Sequence, residues 1–190
     1  RRAEPDSVST PAAAPAAGAI RAAIEAAGGW IGFDRYMALA LYAPGAGYYA
    51  RPGRLFGALP SSGSDFVTAP ELTPLFGRAL ARQLAQALQA SGSDEVFEFG
   101  AGSGALAAQL LEALGPALAR YSIVDVSGGL RARQQERLAA FGARVRWLDA
   151  WPEAMRGVVV GNEVLDAMPV KLLQRASGAP LNEVRAVFET

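Results

Sequence analysis

The segment Glu98–Phe99–Gly100–Ala101–Gly102–Ser103–Gly104 constrains this 190-residue chain more than any other stretch. It joins a short apolar run, Val96 to Phe99, to a stretch of helical periodicity, Ala105 to Leu114. Three glycines between a strand and a helix permit a tight turn and let a ligand come close to the backbone. The helix start beyond them offers unpaired N–H groups and the positive end of a dipole, which suit an anionic group. Asp125 closes the next expected strand, Tyr121 to Val126, and follows Gly104 by 21 residues. An acid at that place can accept hydrogen bonds from a ribose diol.

Two cofactor classes fit this layout. Gly100, Gly102 and Ala105 satisfy the dinucleotide pattern G-x-G-x-x-G/A, whereas Glu98, Gly100, Gly102 and Gly104 satisfy the adenosylmethionine pattern E/D-x-G-x-G-x-G. Glu98 favours the second. A carboxylate at the end of that strand repels a doubly charged pyrophosphate. S-adenosylmethionine instead carries an ammonium that Glu98 can serve, directly or through water. Its carboxylate can meet the loop amides, among them those of Gly100, Ala101, Gly102 and Gly104. A nucleoside triphosphate loop is excluded, because no Gly-Lys-Ser/Thr follows the glycines.

The surrounding pattern supplies the fold. Strands are expected at Val96–Phe99, Tyr121–Val126, Arg144–Leu148 and Gly157–Val160, with helices at Ala105–Leu114 and Leu130–Phe141. Strands alternating with helices of about ten residues imply βαβ units, a parallel sheet and helices on both faces. The continuous apolar run Gly157–Val160 reads as a central strand buried on both sides. Residues 170 to 189 read as a hairpin around Ser177–Gly178. Upstream, helices are expected at Ala19–Ala27, Phe33–Tyr42 and Leu75–Ala90, the last with Thr73 as N-cap and Pro74 in first place. Thr68 and Glu71 form a competing capping box. The Gly-, Pro- and Ser-rich lead-in from Ala43 to Pro70 is long for a linker and reads as functional. Residues 1–18 then form a flexible tail, 19–94 a helical and loop N-terminal cap, and 95–190 the α/β domain.

Composition narrows the chemistry. The chain has neither His nor Cys, which excludes Ser–His and Cys–His nucleophiles, thiol redox chemistry and zinc sites built on those ligands. Acid–base work must come from carboxylates, Tyr, Lys or backbone. Lys plus Arg and Asp plus Glu number 18 each, so bulk charge provides no hold on nucleic acid or an anionic membrane. No apolar run is long enough to insert in a membrane. The tail lacks an apolar signal region; a transit-peptide remnant is the alternative to a bacterial extension.

Directly after Gly157–Val160 comes Gly161–Asn162–Glu163–Val164–Leu165–Asp166–Ala167–Met168–Pro169, at the carboxyl edge where doubly wound sheets place reacting groups. Four ordered motifs now stand together: P-x-x-G-Y-Y at Pro44–Tyr49, D-F-x-T-A-P-E at Asp65–Glu71, E-x-G-x-G-x-G at Glu98–Gly104, and N-E-x-x-D-A-x-P-V at Asn162–Val170. With F-x-x-Y-M-x-x-A-L-Y at Phe33–Tyr42, the chain resembles the MidA family from about Trp30 onward. It departs from that family at Ser64, where Gly is usual, and at Asp125, where Glu is usual.

The resemblance implies a class I methyltransferase with a Rossmann-like parallel sheet, preceded by a helical segment, whose later strands lie outside this chain. It implies S-adenosylmethionine as cofactor, held by Glu98, Gly100, Ala101, Gly102, Gly104, Asp125, Asp149 and Asn162, with Trp151 against the purine. It further implies a protein substrate presenting an arginine, in mitochondrial members a respiratory complex I subunit. The compartment would be bacterial cytoplasm or mitochondrial matrix. Glu163 and Asp166 are candidates to clamp the guanidinium; Asp65 and Glu71 could close over the cofactor. An NAD(P)-dependent oxidoreductase and a non-catalytic assembly factor on the same fold are the competing readings.

Overall fold

The computed structural model describes residues 16–50, 67–125, 128–175, 177 and 180–187, with backbone only at 128 and 129. By contact the chain divides into two units, residues 1–48 with 169–190, and residues 49–168.

In the first unit, α1 (Ala17–Ala26) and α2 (Phe33–Tyr42) flank the short strand β1 (Ile31–Gly32). Ala16, Ile20, Ile24 and Ile31 form its small core, joined by Leu39, Ala40 and Ala186. The C-terminal hairpin is shorter than its sequence pattern: β6 (Leu173–Gln174) pairs antiparallel with β7 (Asn182–Glu183). The chain then leaves the hairpin, and β8 (Arg185–Ala186) pairs with β1.

The second unit carries the glycine loop. Here α3 (Ala69–Leu72) leads into α4 (Pro74–Ser91), followed by β2 (Glu95–Phe99), α5 (Ala105–Leu114), β3 (Arg120–Val124), α6 (Gly128–Leu138), β4 (Val145–Leu148) and β5 (Val158–Gly161). The start of α4 is as the sequence indicates: the Thr73 side chain accepts from the Leu75 N–H at 3.2 Å, with Pro74 next. All pairings among β2–β5 are parallel, in the order β4-β3-β2-β5.

Strand alternation puts Val96, Tyr121, Ile123, Val145 and Val160 on one face. They pack with Ala81, Leu84 and Leu88 of α4, Leu106, Leu110, Leu111 and Leu114 of α5, and Leu138 of α6. The opposite face bears a polar cluster: Glu95 meets Arg146 at 2.6 Å, Arg120 at 3.6 Å and the Ser122 hydroxyl at 2.6 Å.

Among the described residues, α4, α5 and α6 pack on one face of the sheet. The reason is topological: β2→α5→β3→α6→β4 steps in one direction, and right-handed crossovers in one direction stack helices on one side. The described return from β4 to β5 runs without a helix. β5 is the last described strand in the order, beside β2, with Val159 51% exposed.

Candidate active site

The loop after β2 has the backbone that only its composition allows. Gly100, Gly102 and Gly104 take φ of 62°, 54° and 82°, in the left-handed region that disfavours side chains. The Gly100 N–H donates to the Val124 carbonyl at 3.0 Å, tying the loop to the end of β3. The Gly104 N–H donates to the Ala101 carbonyl at 2.8 Å and closes the turn into α5. A Cβ on Gly100 would lie 3.1 Å from the Val164 side chain, so the segment after β5 packs directly on this glycine. The register explains why. Phe99 pairs with Gly161, so the loops leaving β2 and β5 emerge side by side.

Glu98 lies near the end of β2, directly before the loop. It shares a face with Val96, the core face, and is 2% exposed. The Tyr121 hydroxyl donates to its carboxylate at 2.8 Å. Burial raises its pKa to about 7; the Tyr121 bond opposes that rise and the Asp125 charge adds to it. At neutral pH its charge is therefore partial, and repulsion of a pyrophosphate is weaker than the sequence argument assigns. Tyr121, buried in turn, has its phenol pushed far up, first by burial and then by Glu98.

Asp125 follows β3, half-buried, and its Oδ2 accepts from the Gln134 amide at 2.8 Å. Sequence reasoning missed Gln134. The signal was present: in an otherwise polar stretch, Leu130, Gln134 and Leu138 recur every four residues, so the amide sits on the buried stripe of α6. Glu71 was read as a cap or a lid. Instead it accepts from the Ser103 hydroxyl of the glycine loop and from Arg137 at 3.3 Å, while Arg137 also donates to Ser103 at 2.8 Å. Glu71 thus fastens the loop from α3, and the Thr68 side chain makes no cap bond there.

Asp149 forms an ion pair with Arg131 and is 82% exposed on its side chain. Trp151 stacks on Phe99, with ring centroids 4.4 Å apart, and is itself 66% exposed. Asn162 is half-buried at the exit of β5. Glu163 and Asp166 are exposed, and Glu163 is the one non-glycine residue with positive φ among those described, at 53°. Such backbone strain costs on the order of 1–3 kcal/mol and clusters at functional sites. Tyr49 joins them: burial, then the Asp166 and Glu163 carboxylates, push its phenol up. Tyr49 and the two carboxylates of the N-E-x-x-D segment therefore stand near one another. Asp65 lies outside the described residues. Among the described residues no group of His, Cys, Asp and Glu could hold a metal ion. Nor is any described helix long and apolar enough to cross a membrane.

Comparison with known proteins agrees with this arrangement. The family described as "Putative S-adenosyl-L-methionine-dependent methyltransferase" matches residues 79–189. The chain is 30% identical over 183 aligned residues to the mitochondrial protein arginine methyltransferase NDUFAF7 homolog of Caenorhabditis elegans, covering 78% of this chain and 41% of the relative. Against the mitochondrial protein arginine methyltransferase NDUFAF7 of Danio rerio it is 27% identical, covering 77% and 41%. A crystal structure of a COG1565 superfamily member from Burkholderia thailandensis, bound to S-adenosyl-homocysteine, is 49% identical with a TM-score of 0.78, covering 97% of this chain and 54% of that one. The chain thus spans 41% of the length of these curated relatives. With its parallel sheet, its glycine loop and a family match over more than half its length, this chain belongs to the S-adenosyl-L-methionine-dependent methyltransferase family.

Proposed function

We propose that this chain binds S-adenosylmethionine at Gly100–Gly104 and Asp125, and that Glu163 and Asp166 present it with an arginine of a protein substrate. One observation supports the reading: Val164 packs on Gly100 because β2 and β5 are paired, so the segment that carries Glu163 and Asp166 runs beside the glycine loop. The residues present fit the cofactor. The loop's left-handed glycines turn the backbone tightly into α5, the start of α5 provides unpaired N–H groups for a carboxylate, and Asp125 is an acceptor for hydroxyls.

When bound, S-adenosylmethionine supplies an electrophilic methyl group on a sulfonium. The chain's part is positioning and charge. Ala101 and the three glycines line the methionine end, Glu98 lends negative charge toward its ammonium, and Asp125 holds the ribose. Asp149 and Asn162 complete the shell at the exits of β4 and β5. An arginine side chain keeps its proton, with a pKa above about 12, and its nitrogen is a weak nucleophile. Glu163 and Asp166 would hold the guanidinium in line, offset its positive charge as the nitrogen–methyl bond forms and the sulfur–methyl bond breaks, and take up the proton that the methylated nitrogen sheds. Tyr49 beside them adds a ring face suited to a planar cation.

The named relatives support a protein substrate, and the resemblance to the MidA family points further, to a subunit of respiratory complex I, in bacterial cytoplasm or mitochondrial matrix. Calorimetry with S-adenosylmethionine and with NADH, followed by mass spectrometry of methylated arginine in a deletion strain, tests the reading. Binding of NADH alone would return the chain to the dinucleotide class. Cofactor binding with no methylated arginine lost on deletion would leave an assembly factor on a methyltransferase fold.

A further inference from the structure

We infer that Gln134 is the residue that positions Asp125 and the glycine loop as one unit for the ribose diol of an adenosyl ligand. The inference rests on the adenosyl-binding reading above. Gln134 is fully buried, between Leu130 and Leu138 on the inner stripe of α6. Packing alone asks for an aliphatic side chain there, and burying an amide is unfavourable unless it is bonded. Its bonds account for the whole amide. Nε2 donates to the Gly102 carbonyl at 2.9 Å and to Asp125 Oδ2 at 2.8 Å, while Oε1 accepts from the Trp147 indole at 3.0 Å. An indole N–H can only donate, so the amide oxygen must face Trp147. Both amide hydrogens then point to the two elements of the candidate site, and the orientation is fixed by chemistry.

The consequence concerns geometry. A carboxylate rotates broadly about its last torsion. A bond to Oδ2 removes that freedom, and because the same nitrogen holds Gly102, the separation between acid and loop is set by one atom. A cis-diol needs an acceptor in one defined plane. Gln134 therefore acts through Asp125 and is a positioning residue for discrimination at the 2′-hydroxyl.

The test is calorimetry on the full chain with S-adenosyl-homocysteine and its 2′-deoxy analogue. The wild type should prefer the ribo form by about tenfold, the worth of one charge-assisted hydrogen bond. Gln134→Met keeps length and packing but removes the donors. It should weaken binding of the ribo form by about tenfold and bring the preference close to unity. Trp147→Phe, which loses only the far bond, should keep the preference; a purely structural role would weaken both ligands alike in both variants. If Gln134→Met does not fold, Gln134→Leu, which matches Leu130 and Leu138 on the same stripe and also lacks donors, is read the same way. A preference unchanged in the Gln134 variant overturns the inference. Failure of the wild type to bind, or wild-type preference in Asp125→Asn, instead overturns the adenosyl reading and this inference with it.

Discussion

Glu98→Gln should change the pH dependence of stability in a way that can be worked from the structure. The wild-type carboxyl is buried, and its pKa rises from 4.5 to about 7, with burial the largest cause. Below about 4.5 both folded and unfolded chains carry the proton, and the group's contribution to stability is fully present. As pH rises from there, the unfolded chain releases the proton while the folded chain keeps it, so stability falls. Above pH 7 both states are ionised and the loss is complete. At about 1.4 kcal/mol per pH unit, the gap corresponds to about 3 kcal/mol. Gln is neutral at every pH, and its Oε1 still accepts the Tyr121 hydroxyl, so the variant lacks this slope. Equilibrium urea unfolding of both proteins at pH 4.5, 6 and 8 reads the difference, since the other titrating groups cancel between them. The variant should gain about 3 kcal/mol on the wild type between the lowest and the highest pH, whatever constant offset the new amide introduces. A difference that stays flat with pH would refute the reasoning and would mean that the Glu98 carboxyl is ionised throughout, or solvated.

Three further outcomes follow from the same geometry. S-adenosylmethionine brings an ammonium toward a carboxyl that is half protonated near pH 7, so binding there should release a fraction of a proton in the wild type and less in Glu98→Gln; calorimetry in buffers of different ionisation enthalpy measures it. Gly102→Val puts a branched side chain where φ is 54°, and should abolish binding of S-adenosyl-homocysteine, with retained wild-type affinity showing that the loop is not the site. Glu163→Gln keeps shape and removes charge, so cofactor affinity should stay near wild type while arginine methylation falls by about 100-fold or more; lost cofactor binding would move Glu163 to the cofactor side, and retained methylation would shift attention to Asp166.

What could be read from the sequence divides by the range of the interaction that decides it. Phe33–Tyr42 and Ala105–Leu114 are helices to the residue, and Thr73–Pro74 starts α4, because periodicity, caps and proline act over one turn. The glycine loop was legible for the same reason, since a positive φ is a property of the residue that adopts it. The pairing of β5 with β2 was not: four apolar residues in a row describe a strand's surroundings, but sheet order depends on long-range pairing, here Val96 with Val158.

Polar residues show the same limit more sharply. Glu71 has a local reading, a capping box with Thr68, yet it bonds Ser103 and Arg137, which lie 32 and 66 residues away. Asp149, expected near the cofactor, also pairs with Arg131, 18 residues earlier, which no local pattern reveals. Glu98 is the instructive case, because half of its environment was readable. Period two already puts it on the same face as Val96, and a glutamate on a core face must find a partner or neutralise. What the period cannot reveal is that Tyr121, on the neighbouring strand, provides the hydrogen bond, or that Asp125 adds a second negative charge nearby. The buried acid under the loop and the buried amide beside it thus share a logic. Each occupies a position that packing would fill with an aliphatic residue, and each has its polar atoms bonded: Glu98 by Tyr121 of β3, Gln134 by Gly102, Asp125 and Trp147. A polar residue on an apolar stripe, adjacent to a glycine loop, is therefore the signal by which such supporting groups can be found before a structure is known.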